Sequence, residues 1–181
     1  MHYDLDWLID RFRKGKKIKY IFFWGHRALK NEVTAACFSQ WFPSPFKVQE
    51  TIYPTAEHWM MGKKALLFQD QASFNKILKA KSPGEAKALG RQVNGFDEKT
   101  WILNRNRIVL EGSLHKFSQN PPLKTFLLNT KDRVIVEASP KDSIWGVGLS
   151  VHDPKIENPL LWNGLNLLGF ALMQTRDWLK N

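Results

Sequence analysis

Apolar residues recur at helical spacing in several windows of this chain and crowd into short runs in others, a pattern that predicts a helix-rich fold with a small sheet. Leu5, Leu8, Ile9 and Phe12 mark one helical face within residues 4–19, which end in a basic run. Residues 20–24 form a compact aromatic run that predicts a buried strand closed by Gly25, with a loop through Asn31 behind it. Pro43 and Pro45 exclude regular central structure just after residues 37–42. Residues 46–53 alternate as a strand, and these pieces together predict a small sheet ahead of the next helix.

The helix starts carry their own signals. Thr55 predicts an N-cap, with Glu57 in the first turn where a carboxylate complements the helix dipole. Asp70 predicts the cap of a following helix with Phe74, Ile77 and Leu78 on its apolar face. Ser82, Pro83 and Glu85 combine an N-cap, a proline at N1 and an acid at N3 in one capping box. Asn94 and Gly95 turn into the longest predicted helix, residues 98–117, with Leu103, Leu110, Leu114 and Phe117 as its core stripe. Pro121 and Pro122 open a short helix, residues 134–138 predict a last strand, and a final helix over about residues 163–179 is apolar through Leu168, Phe170, Leu172 and Trp178. No repeat or linker interrupts the chain, so the expectation is one compact, mainly α-helical α+β domain over residues 20–181, preceded by an accessory helix and basic segment over residues 1–19.

Composition narrows the partners. At 181 residues the chain can bury a core without disulfides, and its one cysteine, Cys37, suits a reducing compartment. No apolar run is long enough to span a bilayer and the first residues lack the order of a signal peptide, so a soluble, cytoplasmic protein is expected. The formal charge of +10 favours polyanions: nucleic acid, phosphorylated nucleotides or a membrane surface. Eight tryptophans supply rings for a core or for stacking on bases.

Most familiar chemistries are absent from the motifs. The histidines at 2, 26, 58, 115 and 152 show no metal-binding spacing, and no phosphate-cradling glycine loop or nucleophile elbow occurs, so neither metal nor cofactor is expected. What remains is a set of separated residues. Glu57 and Lys64 lie seven apart, close to two helical turns, and so share a face with Met61 between them. That pair reads equally as a surface ion pair or as half of an active site. Arg91 follows a short helix, Asp142 and Trp145 share a loop with Gly146 and Gly148, and Asn166 lies near the start of the last helix. The loop glycines allow close backbone approach to a ligand, and Trp145 suits either a wall against a base or a core plug.

In order along the chain, residues 22–26, 38–42, 53–58, 64–65, 82–91, 136–142, 145–148 and 166–173 resemble the NADAR (YbiA-like) family, and the resemblance extends over about residues 20–176. Gln40, Val147 and Leu167 stand where other members carry an asparagine, an acid and an arginine, which points to a different branch. The resemblance implies a compact, mainly helical fold and an N-glycosidase. Two substrates are implied: ADP-ribose on modified guanine, which includes ADP-ribosylated DNA or RNA, and phosphorylated ribosylaminouracil intermediates of riboflavin synthesis. It also implies Glu57 as acid/base, Lys64 as nucleophile and Asp142 as a positioner of ribose hydroxyls or a helper in proton transfer. Trp145, with Gly146, is expected to contact the base and Arg91 to contact phosphate, with Trp41 and Asn166 as further pocket candidates. A non-catalytic reader of ADP-ribose or nucleic acid is the alternative of another class, and no obligate protein partner is expected.

Overall fold

Among the described residues, seven helical starts are capped by the side chain three residues ahead of, or two ahead of, the backbone N–H it holds, and these local bonds lay out the fold in the computed structural model. The structure describes residues 2–27 and 32–180, so the end of the loop expected through Asn31 lies outside it. Among the described residues the α-helices are α1 (Leu5–Arg13), α2 (Ala56–Leu67), α3 (Gln71–Leu78), α4 (Pro83–Gly90), α5 (Glu98–Gln119), α6 (Pro121–Leu128) and α7 (Leu167–Lys180). The strands are β1 (Tyr20–Phe23), β2 (Phe46–Val48), β3 (Thr51–Tyr53) and β4 (Val134–Glu137). The fold is therefore α+β and mainly helical. No described helix is long and apolar enough to cross a membrane.

The chain divides into two compact units, one formed by Met1–Ser39 with Pro122–Asn181 and the other by Gln40–Pro121. In the first, β1 pairs in parallel with β4, Tyr20 opposite Val134 and Phe23 opposite Glu137. Val134, Ile135 and Val136 are buried there, with Leu168, Phe170 and Leu172 of α7 also in the core. In the second unit β2 and β3 form an antiparallel hairpin. Trp59 of α2 is buried beside Phe46 and Tyr53 from that hairpin, and its indole N–H donates to the Ile108 carbonyl of α5 at 2.8 Å.

Three expectations are corrected. Residues 46–53 are a hairpin rather than one strand, because Gln49 takes a left-handed φ of 52° and folds the run back on itself. The sheet containing β1 is completed by β4, not by the residues just after it. Leu103 is 82% exposed and lies off the buried side of α5, whose buried apolar face is Ile108, Val109, Leu110 and Phe117. The capping box at α4 also differs in detail: Glu85 Oε2 accepts from the Lys81 N–H at 2.7 Å rather than from that of Ser82. The final helix begins at Leu167, and its Trp178 is 48% exposed.

Candidate active site

Helix α2 is buried along nearly its whole length, which is unusual for a segment holding an acid and an amine. Thr55 caps it, its hydroxyl oxygen accepting from the His58 N–H at 3.4 Å. Glu57 follows at 2% exposure, and its backbone N–H donates to the Gln40 carbonyl at 2.9 Å. That bond ties the N-terminal end of α2 to the strip holding Trp41. The Trp41 ring lies against Gly84 of α4, and the Lys87 ammonium sits 5.9 Å from its centroid.

Lys64, two turns on, is 9% exposed. Its Nζ donates to the Gly90 carbonyl at 2.8 Å and lies 4.1 Å from the Phe96 ring centroid and 5.6 Å from that of Trp101. Loss of hydration, and secondarily the charge of Arg91, pushes the amine's pKa below its ordinary value. Arg91 itself is exposed, and its N–H caps α4. Met61 fits against Gly90, where a Cβ would collide with the thioether, so Met61 and Lys64 both face α4. The helix rise sets the Glu57 and Lys64 backbones about 10 Å apart along the axis.

In the other unit, Asp142, Trp145, Gly146 and Asn166 come together around the loop after β4. Asp142 Oδ1 accepts from the Ile144 and Trp145 N–H groups at 2.9 and 2.8 Å, which fixes the turn that carries the half-buried indole. Gly146 has no room for a side chain: a Cβ would come within 2.8 Å of the Glu137 carbonyl oxygen. The close approach this glycine permits is thus to the protein's own backbone. Asn166 is fully buried with a left-handed φ of 52°, a conformation that asparagine tolerates. Its Oδ1 accepts from the Glu137 N–H at 3.0 Å, and its Nδ2 donates to the Ile135 carbonyl at 2.9 Å. The amide of Asn166 is therefore committed to β4.

Lys116, Gln40 and His58 are further buried polar residues, none of them among the expected site residues. Lys116 is fully buried on the inner face of α5, with its Nζ 5.3 Å from the Phe117 ring centroid. Its signal was a charged residue beside the stripe of Leu110, Leu114 and Phe117. Gln40, 7% exposed, has an amide with no hydrogen bond among the described residues. His58 is 1% exposed and bridges Thr55 Oγ1 and the Ala80 carbonyl. Among the described residues no group of three or more His, Cys, Asp or Glu side chains converges as a metal site.

Comparison with known proteins gives this geometry a context. The NADAR domain profile matches residues 22–180. The chain is similar to an N-glycosidase of Acanthamoeba polyphaga mimivirus, with 44% identity over 164 residues that cover 88% of this chain and 95% of that protein. It is also similar to a riboflavin biosynthesis protein of Vibrio vulnificus, with 30% identity over 142 residues, 78% of this chain and 35% of that protein. Among solved structures, the NMR structure of the E. coli protein YbiA matches with a TM-score of 0.70 and 26% identity, covering 90% of this chain and 85% of that one.

Proposed function

The chain belongs to the NADAR family, and from that premise we propose that it is an N-glycosidase that removes ADP-ribose from ADP-ribosylated guanine, including guanine in DNA or RNA. One observation carries the mechanism: a single helix buries both an acid and an amine, and burial keeps the Lys64 amine easier to deprotonate than a surface lysine.

In such a substrate the anomeric carbon bears an exocyclic nitrogen, so opening of the sugar ring yields an imine at C1. Neutral Lys64 Nζ adds to C1, and the bond from C1 to the base nitrogen then breaks. The base leaves as its free amine, having gained a proton, and a Schiff base joins C1 to Nζ. Water adds to C1, the C1–Nζ bond breaks, and ADP-ribose departs with its aldehyde restored. Glu57 is assigned the proton transfers at the leaving nitrogen and at the attacking water. Asp142 is assigned the ribose hydroxyls, Trp145 the base, and Arg91 a phosphate through its planar fork. The Asn166 amide, already held by β4, is assigned a supporting role rather than a contact with substrate. Every step draws on side chains, so chelators are expected to leave turnover unchanged.

A second reading, hydrolysis of phosphorylated ribosylaminouracil intermediates, is favoured by the riboflavin biosynthesis relative. Incubation with each substrate, followed by chromatographic resolution of released base and sugar, separates the two. Binding of ADP-ribose without release from either substrate would instead indicate a reader. Glu57→Gln is expected to abolish turnover with the fold retained. Borohydride added during turnover is expected to fix the sugar's mass on Lys64. If active protein never acquires that mass, direct attack of water aided by Glu57 replaces the Schiff base.

A further inference from the structure

The first unit contains a cavity of about 260 Å³ that shares no residue with α2. Its walls come from three separate stretches: α1 with the segment after it, the turn before β4, and the last turns of α7. Arg11, Lys17, Lys19, Lys131, Arg176 and Lys180 supply six cations against two carboxylates, Asp132 and Asp177. Asp177 is already engaged, accepting from the Tyr3 hydroxyl and lying 3.4 Å from Lys180 Nζ and 3.8 Å from Arg176 Nε.

Arg176 forms the floor. It is 2% exposed, and its Nη1 is held by Thr130 Oγ1 at 2.9 Å and the Arg133 carbonyl at 2.7 Å. With its Nε paired to Asp177, the guanidinium adds positive charge to a cavity in which cations outnumber carboxylates, a setting suited to an anion. Two rings stand at the same wall. Trp7 and Tyr3 meet edge to face at 4.8 Å, and Arg11 lies over the Trp7 ring at 5.2 Å.

We propose that this cavity binds the phosphodiester backbone of single-stranded nucleic acid. The cations are distributed along α1, the turn and α7, an arrangement that serves successive phosphates better than one compact anion. The half-buried rings supply the flat surface on which an unstacked base can rest. Lys17 and Lys19, and the aromatic residues of α1, lie before the matched family domain begins at residue 22. Lys131, Arg176 and Lys180 lie within the matched residues, so the cavity is walled from both sides of that boundary.

The test is fluorescence anisotropy of a labelled, unmodified single-stranded oligonucleotide with the full chain, titrated across potassium chloride concentration. Contact with three phosphates predicts a slope of about −2 in a plot of log affinity against log salt. Lys17, Lys19 and Lys131 are exposed, so the triple charge reversal Lys17→Glu, Lys19→Glu and Lys131→Glu is compatible with the fold. It is expected to weaken binding at least tenfold and to flatten the slope. The matched control reverses Lys79, Lys81 and Lys99, exposed lysines of the other unit. It changes net charge equally and is expected to leave most of the affinity intact. Equal losses in both triple variants, or none in the first, overturn the proposal. Displacement of the oligonucleotide by inorganic phosphate at low millimolar concentration would reassign the cavity to a free anion. Binding to phosphatidylserine vesicles without binding to the oligonucleotide would reassign it to a membrane.

Discussion

An amine withdrawn from water resists protonation, and Lys64 also has a neighbouring guanidinium working in the same direction. Its neutral fraction at a given pH therefore exceeds that of an exposed lysine, and an activity that needs the free amine should rise with pH toward a midpoint below the ordinary 10.5. Lys64→Met separates this role from a structural one. The change strands the Gly90 carbonyl, at a cost of about 1–3 kcal/mol, but removes the penalty of a buried ammonium. Urea unfolding should therefore place the variant within about 1–2 kcal/mol of the parent, while turnover is lost. Lys64→Arg, which keeps charge without a nucleophile, should not restore it. The residue types and spacing of Glu57 and Lys64 were legible in the chain because a helix repeats its faces locally. The Gly90 carbonyl that holds the amine was not, since that contact depends on how α2 meets α4.

At the scale of elements, β4 shows how a residue that looks like part of a binding site can instead complete a sheet. Val134 and Ala138 donate toward the β1 side, to the Lys19 and Phe23 carbonyls, whereas Ile135 and Glu137 present their backbone groups to the opposite edge. No further strand covers that edge among the described residues, and the Asn166 amide pairs with it where a neighbouring strand would. Asn166→Ala leaves one buried carbonyl and one N–H without partners, which should cost about 3 kcal/mol or more. A lowered urea midpoint is the expected result. A normal midpoint with only a raised KM would make Asn166 a ligand contact instead. The asparagine was visible in the chain, but its partners lie about thirty residues away, by the separations of 29 and 31 in its two bonds. Caps such as Asp70 and Ser82 were legible for the opposite reason, because donor and acceptor stand three residues apart. The exposed Leu103 fails on a third ground: α5 runs for 22 residues, and its first half carries apolar side chains that remain open to solvent.

For the molecule as a whole, acid should act through two separate pH windows. Protonation of carboxylates adds to a formal charge that is already +10, so self-repulsion grows as the pH falls. His58 sets the upper window. Its Nε2–H donates to the Ala80 carbonyl at 3.1 Å, leaving Nδ1 to accept from the Thr55 hydroxyl at 2.8 Å, and this assigns the neutral tautomer. Desolvation holds its pKa below the ordinary 6.5, with the Ala80 carbonyl and Glu85 opposing the shift, and His115 is displaced in the same direction, chiefly by burial. The unfolded chain then binds more protons than the folded one. Stability from these sites is whole above about pH 6.5 and is lost as the pH falls through their lower folded-state values. Asp70 sets the lower window. Its carboxylate accepts from the Ser73 and Asn94 N–H groups, each at 2.9 Å, and bonds to Ser73 and Asn94 hold its pKa down to about 2. That contribution is whole above the ordinary 3.8 and disappears as the pH falls through about 2. Urea midpoints measured from pH 8 to 2 should therefore decline in two stages. His58→Asn should blunt the upper stage and Asp70→Asn the lower one. A midpoint that holds constant from pH 7 to 5 in the parent would show that the buried histidines contribute nothing to acid sensitivity, leaving the carboxylates to account for all of it.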